Sequence, residues 1–137
     1  MAIYFYSEQV DFPPILKSKT KQYFKNIISE EKLQCGNINV IFCSDNYLLD
    51  INKKYLQHDY YTDIITFDYT SKDIISGDIY ISLERVQENA DIFKVSYIEE
   101  LYRIMFHGIL HLAGYNDKTT ADKKKMIFKE DYYLKKI

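Results

Sequence analysis

The sequence predicts an α+β fold, with one four-stranded mixed sheet and about five helices packed mainly on one face of it. Four short segments rich in β-branched and aromatic residues are interspersed, in mixed order, with segments whose apolar residues recur at helical spacing. No internal repeat, low-complexity linker or change of composition divides the 137 residues. A hydrophobic content of 47% and a charged content of 28% are typical of a soluble globular protein. We therefore expect one domain over residues 1–137.

The chain begins with a predicted strand at Ala2–Tyr6, a segment rich in strand-forming residues. Pro13 and Pro14 follow, and proline is tolerated in the first turn of a helix. A helix is therefore predicted from there to about Leu33. Its apolar positions recur at helical spacing: Leu16, Tyr23, Phe24, Ile27 and Ile28. The pair Gly36-Asn37 should break this helical segment.

The middle of the chain predicts three further strands and two helices. Ile38–Cys43 alternates loosely and predicts a strand, after which Ser44 or Asp45 can cap a helix that continues to about Tyr55. A polar and aromatic loop follows. The next two predicted strands, Asp63–Tyr69 and Gly77–Ser82, are close enough in sequence to pair as antiparallel neighbours. Leu83 to about Phe93 should be helical.

Ser96 and Glu99 have the spacing of a capping box, which predicts the start of a long apolar helix. Its expected core stripe is Leu101, Met105, Gly108 and Leu112. This helix has the longest apolar run, so we expect it at the centre of the fold, with Gly108 allowing another backbone to approach closely. Thr119 or Thr120 should cap a final lysine-rich helix whose inward residues are Met126, Ile127, Tyr133 and Leu134.

Composition and charge favour a reduced cytoplasmic protein. The first residues lack a basic region followed by a long apolar stretch, and no apolar run approaches the length of a membrane span. The two cysteines, Cys35 and Cys43, make neither a disulfide framework nor a Cys-x-x-Cys motif. The net charge of −2 argues against a generic nucleic-acid coat. The lysine-rich segment from Lys118 to the last residue can be solvated surface or a patch that contacts RNA or the ribosome.

The segment His107–Asp117 carries the main candidate site. His107 and His111 are four residues apart, so on a helix their rings project from one face and can bind one divalent metal. Gly108 stands where the metalloprotease motif His-Glu-x-x-His has its glutamate. Gly114 suits a C-cap that turns the chain back and offers Asp117 as a third ligand. The predicted catalytic and metal residues are therefore His107, His111 and Asp117, with one Zn²⁺ per chain.

Three earlier segments complete a pattern that resembles the YbeY family of bacterial rRNA-maturation metallo-endoribonucleases. That family has an Asn, an aromatic residue and an Asp leading to a Thr-Asp strand, followed by a Gly-Asp-Ile strand. It ends in His-Gly-x-Leu-His-Leu-x-Gly-Tyr-Asp-His. This chain supplies the pattern in order, ending with His107-Gly-Ile-Leu-His-Leu-Ala-Gly-Tyr: Asn52, Tyr55, Asp59, Thr62, Asp63, Phe67, Gly77, Asp78 and Ile79.

The resemblance implies a zinc-dependent endoribonuclease that prefers single strands. It also implies a role in 16S rRNA 3′-end maturation and ribosome quality control, with the 16S rRNA precursor and the ribosome or small-subunit factors as partners. Proton transfer would fall to metal-bound water or to an outside group such as His58, which can equally be an ordinary loop histidine. The 2′-hydroxyl of RNA is an alternative internal nucleophile.

Two departures from the family pattern affect the site. Asp117 occupies the position of the family's third histidine, so it is either a direct ligand or a partner that orients His107 or His111. Leu56 stands where the family usually has an arginine, which removes an expected phosphate contact. The basic residues that can replace this contact are Lys53, Lys54, His58, Arg85 and Arg103.

Two other functions fit the same histidines. One is a metal-dependent hydrolase of another substrate, such as a peptide, although the missing glutamate counts against a protease. The other is a non-catalytic ribosome-associated factor in which zinc only holds the loop after Gly114. Two histidines and a carboxylate leave one coordination position open, which favours catalysis, because structural zinc normally has four protein ligands.

Overall fold

A computed structural model describes residues 2–137 and confirms the α+β architecture. The elements, in chain order, are β1 (Ile3–Glu8), α1 (Lys17–Glu30), β2 (Gln34–Cys43), α2 (Asp45–Leu56), β3 (Ile64–Asp68), β4 (Ile74–Ser82), α3 (Leu83–Phe93), α4 (Tyr97–Leu112) and α5 (Thr120–Leu134). The strands form one sheet in the order β1-β2-β4-β3. β1, β2 and β4 are parallel, and β3 pairs antiparallel with β4, as the sequence predicts for these two neighbours.

The two faces of the sheet are covered unequally. The large core lies between one face and helices α1, α3, α4 and α5, and it includes Ile38, Val40, Ile79 and Phe106. A smaller cluster on the other face brings Leu48 of α2 against Cys43 and Ile65. This division follows from strand geometry, because alternate residues of each strand point to opposite faces. The helices therefore lie mainly on one face.

Helix α4 lies at the centre of the larger layer, where it contacts β3, β4, α1, α3 and α5. The predicted core stripe is buried along its whole length. A Cβ atom on Gly108 would lie 3.0 Å from side-chain atoms of Ile79 and 3.2 Å from Ile64 Cδ1. The close approach at Gly108 therefore comes from strand side chains, and the expectation of a neighbouring backbone was wrong.

Both ends of α4 are capped by the residues that the sequence singles out. The Ser96 side chain accepts a hydrogen bond from the Glu99 backbone N–H at 3.1 Å. At the other end Gly114 has a φ of 107°, its N–H bonds to the His111 carbonyl, and the Tyr115 N–H bonds to the Leu110 carbonyl. This pair of bonds is the Schellman motif, in which glycine adopts a positive φ without strain. The turn sends the chain back toward the histidines.

Some element boundaries differ from the predicted ones. Gly36 and Asn37 lie inside β2, at an irregularity in its pairing with β4, because the strand begins at Gln34. Helix α1 begins at Lys17, so Pro13 and Pro14 precede it. Ile127 was predicted to point inward but is 52% exposed, whereas Met126 and Tyr133 on the same helix are buried.

The structure shows the state of the two cysteines. Cys43 is completely buried in the smaller cluster, where burial raises the pKa of its thiol to about 12, and both cysteines are free. A thiol with so high a pKa is a packing group, because the thiolate is the reactive form.

Within residues 2–137, none of the helices combines the length and the apolar character that crossing a membrane requires.

Candidate active site

The end of α4, the turn after it and strand β3 surround a small cavity. Its volume is about 170 Å³, and its lining residues are Ile64, Thr66, His107, His111 and Asp117. His107 and His111 reach it from successive turns of α4, because side chains four residues apart share a helix face. The Gly114 turn brings Asp117 to the same place. The structure thus brings all three predicted site residues to one cavity.

A carboxylate from the last helix contacts the Nδ1 atom of His107. Glu130 Oε2 lies 2.7 Å from His107 Nδ1, and the Glu130 side chain is only 6% exposed. Arg103 donates to Glu130 at 3.0 Å and to Asp131 at 2.6 Å. A carboxylate beside Nδ1 favours the tautomer that carries its proton there, which leaves the Nε2 lone pair free to bind a ligand. α5 therefore fixes the ring orientation of a residue on α4.

The Nε2 atom of His107 faces a second carboxylate. It lies 3.5 Å from Asp117 Oδ2. Burial alone would lower the pKa of His107, but the hydrogen bond and charge of Glu130, with the charges of Asp117 and Asp63, raise this pKa above its usual value. If Nδ1 carries the only proton, Nε2 and the Asp117 oxygen are two acceptors facing each other. Such a pair requires a proton or a cation between its members.

The distance between these two atoms fits two ligands of one zinc ion. Zinc–nitrogen and zinc–oxygen bonds of roughly 2.0–2.1 Å at a tetrahedral angle place two ligand atoms roughly 3.3 Å apart. His111 lines the same cavity, but among residues 2–137 no group of three His, Cys, Asp or Glu side chains is positioned to hold a metal together. The types of donor atom fit a zinc site, and so does the distance between His107 Nε2 and Asp117 Oδ2. The His111 side chain would have to reorient to complete the site.

A second, larger cavity adjoins the first along His107, Asp117 and Ile64. Its volume is about 450 Å³, and its polar lining is mainly acidic, with Asp63, Glu100, Asp117 and Glu130 around Arg103 and His107. Asn89 donates to Asp63 Oδ2 at 3.1 Å. Burial raises the pKa of Asp63, although the nearby positive charge of His107 lowers it in part. Burial likewise raises the pKa of Glu100, although the charge of Arg103 lowers it in part. Glu130 and Asp63 therefore have side-chain hydrogen-bond partners, whereas Glu100 has none within residues 2–137.

The family-pattern residues before α4 have mixed roles. Asn52 is buried, and its side chain donates to the Tyr60 carbonyl at 2.9 Å, which fixes the loop that leads to Thr62 and Asp63. Those two residues line the larger cavity. Asp59 is 81% exposed and pairs with Lys53. Asp78 accepts from Asn39 on the sheet face away from the histidines.

The basic residues considered as replacements for the missing arginine have different surroundings. Arg103 lines the larger cavity beside His107. Arg85 is paired with Asp45 and lies over the ring of Tyr61. His58 stacks on Tyr60 in the exposed loop. Arg103 is thus the candidate whose position relative to the histidines suits a phosphate contact, although its donors are already shared between Glu130 and Asp131.

Two acidic residues of the site were missed in the sequence, although both left a signal. Glu100 precedes Arg103, His107 and His111 at spacings of three and four, so these four residues share one helix face. Glu130 lies on the apolar stripe of α5, four residues after Met126 and three before Tyr133. A charged residue on a buried stripe requires a partner, and that requirement indicates its role.

The chain matches known proteins over nearly its whole length. The family described as Endoribonuclease YbeY matches residues 3–137. A protein named Endoribonuclease YbeY from Flavobacterium psychrophilum is 51% identical over 130 residues, which cover 95% of this chain and 93% of that protein. A protein of the same name from Azobacteroides pseudotrichonymphae is 46% identical over 137 residues, covering 100% and 99%. A solution structure from Thermotoga maritima has a TM-score of 0.73 at 30% identity, covering 98% and 87%.

The fold and the site together define an α+β protein that carries two histidines on its central helix. A buried carboxylate orients the first of them, His107, which opens on two adjoining cavities. The match over residues 3–137 and the identities near one half specify the class further. The chain belongs to the YbeY family, which is described as Endoribonuclease YbeY.

Proposed function

We propose that this protein is a zinc-dependent endoribonuclease that prefers single-stranded RNA. The observation that carries this function is the arrangement of His107, whose Nδ1 is held by Glu130 at 2.7 Å while its Nε2 faces Asp117 across a cavity shared with His111. A histidine held in this way by a carboxylate is typical of metal centres. Family membership supplies the substrate class, since the relatives are named endoribonucleases.

The proposed site has a distinct role for each residue. His107, His111 and Asp117 would hold the ion, and Glu130 would keep the His107 ring in the required tautomer. A bound zinc ion supplies electrostatic stabilisation to a phosphodiester under attack and can activate a water. The Asp117 carboxylate contributes a negative charge where the family pattern has a neutral imidazole. The site should therefore be less electrophilic than one with three histidines.

The surroundings of the histidines suit a flexible single strand. The smaller cavity is bounded by β3, an edge strand, and the larger cavity continues from it, so that a strand can cross the histidines with a phosphate at the smaller cavity and a base in the larger one. A paired, stacked duplex cannot insert its bases into cavities of this kind without unpairing, which costs a few kcal/mol per base. The attacking group is either an activated water or the 2′-hydroxyl of the RNA itself.

Cleavage of a peptide is the weaker alternative. The helix carries Gly108 where a metalloprotease has its general-base glutamate. Gly108 also packs against Ile79 and Ile64, so its position faces the sheet and not the cavity. The buried acid nearest to the histidines is Glu130, which is already engaged by His107 and Arg103.

The biological setting that we propose is 16S rRNA 3′-end maturation and ribosome quality control in the cytoplasm, in contact with the ribosome or small-subunit factors. The lysine-rich helix α5 begins three residues after Asp117. Within the protein, its Lys129 is paired with Glu31, and Lys136, just beyond its end, is paired with Glu30. Lys123 and Lys124 on the first turns of α5 are exposed and could contact a phosphate backbone.

The direct test combines metal analysis with cleavage. Purified protein should contain about one zinc per chain, and it should cut a single-stranded RNA while leaving the same sequence in a duplex intact. A 16S rRNA precursor with an unprocessed 3′ end should be shortened in the same assay. A folded protein that holds no zinc under metal-replete conditions, or that cuts neither RNA, contradicts the proposed function.

A further inference from the structure

The larger cavity has the size and position of a ligand-binding pocket beside the proposed cleavage site. Its volume of about 450 Å³ lies within the roughly 300–1,000 Å³ that is usual for small-molecule pockets. It shares His107 and Asp117 with the smaller cavity. A nucleotide whose phosphate lies at the histidines could therefore place its base here.

One wall of this cavity carries a buried carboxylate that lacks a hydrogen-bond donor. Glu100 is 5% exposed, lines the cavity, and receives no hydrogen bond from any group in residues 2–137. The nearest cation, Arg103, gives its donors to Glu130 and Asp131. Its oxygens open on the cavity, since no fully buried side-chain oxygen or nitrogen in residues 2–137 lacks a hydrogen-bond partner. A ligand that enters the cavity can therefore supply the missing donors.

The chemistry of the lining narrows the class of ligand. Asp63, Glu100 and Glu130 repel a phosphate or another anion. A neutral, planar group with N–H donors satisfies the acids without adding charge. At the mouth of the cavity Phe93 is 62% exposed, and an exposed aromatic ring is a stacking surface for such a group.

Among the RNA bases, guanine fits a carboxylate best. Its Watson–Crick edge presents N1–H and the N2 amino group side by side, so the two oxygens of one carboxylate can accept both. Adenine, cytosine and uracil each place an acceptor next to the donor on that edge, and this acceptor would face a carboxylate oxygen. We propose that the cavity is a guanine-binding pocket in which Glu100 reads the base next to the cleaved phosphate and Phe93 stacks on it. This inference rests on the proposed RNA substrate.

The binding test uses ligands that cannot be cleaved. The full-length protein is titrated with the 3′-monophosphates of guanosine, inosine, adenosine, cytidine and uridine, and the NMR signals of Phe93 and Asn89 are followed. Inosine differs from guanosine only by the missing N2 amino group. Guanosine 3′-monophosphate should bind at least about tenfold more tightly than the inosine compound, because one hydrogen bond to a charged group is lost. Equal binding of the two overturns the proposal.

A matched pair of variants locates the effect. Glu100→Gln keeps the shape of the side chain but replaces one acceptor oxygen by a donor, so the preference for guanosine should disappear. Glu99→Gln changes an exposed neighbour on the same helix and should keep the full preference. A preference that survives Glu100→Gln contradicts the assignment. The comparison of guanosine with inosine uses the unaltered protein, so it decides the question even if a variant folds poorly.

Cleavage measured on the same preparations separates this inference from the proposed function. An RNA that contains all four bases should be cut next to guanines by the wild type, and Glu100→Gln should spread the cuts over other bases. Cleavage without a guanine preference in binding or in cut position overturns the pocket and leaves the nuclease intact. Selective binding of guanosine without any cleavage supports the pocket and contradicts the nuclease.

Discussion

His107 Nδ1 and Glu130 Oε2 lie 2.7 Å apart, although the two residues belong to different helices and are 23 positions apart in the chain. Glu130 is held in turn by Arg103, one helical turn before His107 on α4. The contact closes a loop of interactions between α4 and α5 that fixes the orientation of the ring. The last helix is therefore part of the site, and not only a cover for the core.

Replacing Glu130 by Gln should weaken zinc binding. The expected loss of affinity is roughly 10–100-fold, which is typical when the partner of a histidine ligand is removed. The measurement is a competition titration with a zinc chelator, together with the ¹⁵N shifts that report the His107 tautomer. Glu99→Gln, at an exposed position on α4, is the control. An unchanged tautomer and an unchanged affinity in Glu130→Gln would show that the contact does not position the ring.

The role of Asp117 as a zinc ligand can be tested by two substitutions with different expected effects. Asp117→Asn should reduce zinc retention, because an amide is a poorer ligand than a carboxylate. Asp117→His should preserve retention and move the acidic limb of the cleavage pH profile to lower pH, because a neutral imidazole leaves more positive charge at the site. Metal content and rates between pH 5 and 9 measure both effects. Equal zinc retention in Asp117→Asn would assign Asp117 a supporting role.

His111→Ala should abolish cleavage of single-stranded RNA while the protein remains folded. The side chain is partly exposed at the cavity, so its removal leaves the core intact. His58→Ala provides a comparison, since His58 stacks on Tyr60 in the exposed loop and should be dispensable. Full activity in His111→Ala would indicate a contaminating nuclease, whereas loss of activity in His58→Ala would identify that loop as a source of proton transfer.

Gly114→Ala should destabilise the protein by about 1–2 kcal/mol, because alanine is strained at positive φ. A Cβ at this position would meet no atom within 4 Å, so the loss reports backbone strain alone. Urea denaturation measures the free energy of unfolding. Because the turn also positions Asp117, the affinity for zinc should fall together with the free energy of unfolding. An unchanged midpoint of denaturation would mean that the turn adopts another conformation at no cost.

Glu31 should make the stability of the protein sensitive to acid. Burial alone would raise the pKa of Glu31, but hydrogen bonds from Tyr115, Tyr133 and Lys129 lower it below the ordinary glutamate value of 4.5. A carboxyl whose pKa is lower in the folded state stabilises the fold above its unfolded pKa. That contribution should decrease as pH falls below about 4.5 toward the folded pKa. Denaturation curves for wild type and Glu31→Gln should converge in acid, and parallel curves would contradict this role.

The local elements of the fold follow from the sequence because their signals are local. Ser96 and Gly114 mark the ends of α4 by their own capping chemistry, and the spacing of Leu101, Met105 and Leu112 shows which face of α4 is buried. The histidine pair is equally local, since four residues on a helix place two rings on one face. The prediction that Ile127 points inward was wrong because only Met126, Glu130 and Tyr133 of α5 are buried, and the spacing of its apolar residues does not define that face.

Packing in three dimensions decided the rest. The sequence alone determined an α+β chain with a histidine pair and a following aspartate, together with a resemblance to one family. It did not pair His107 with Glu130, because no short-range rule connects residues on two helices. Nor did it reveal Glu100, whose significance depends on the absence of a donor around it. Both are properties of neighbours brought together by the sheet and helix layers, and only the tertiary structure supplies those neighbours.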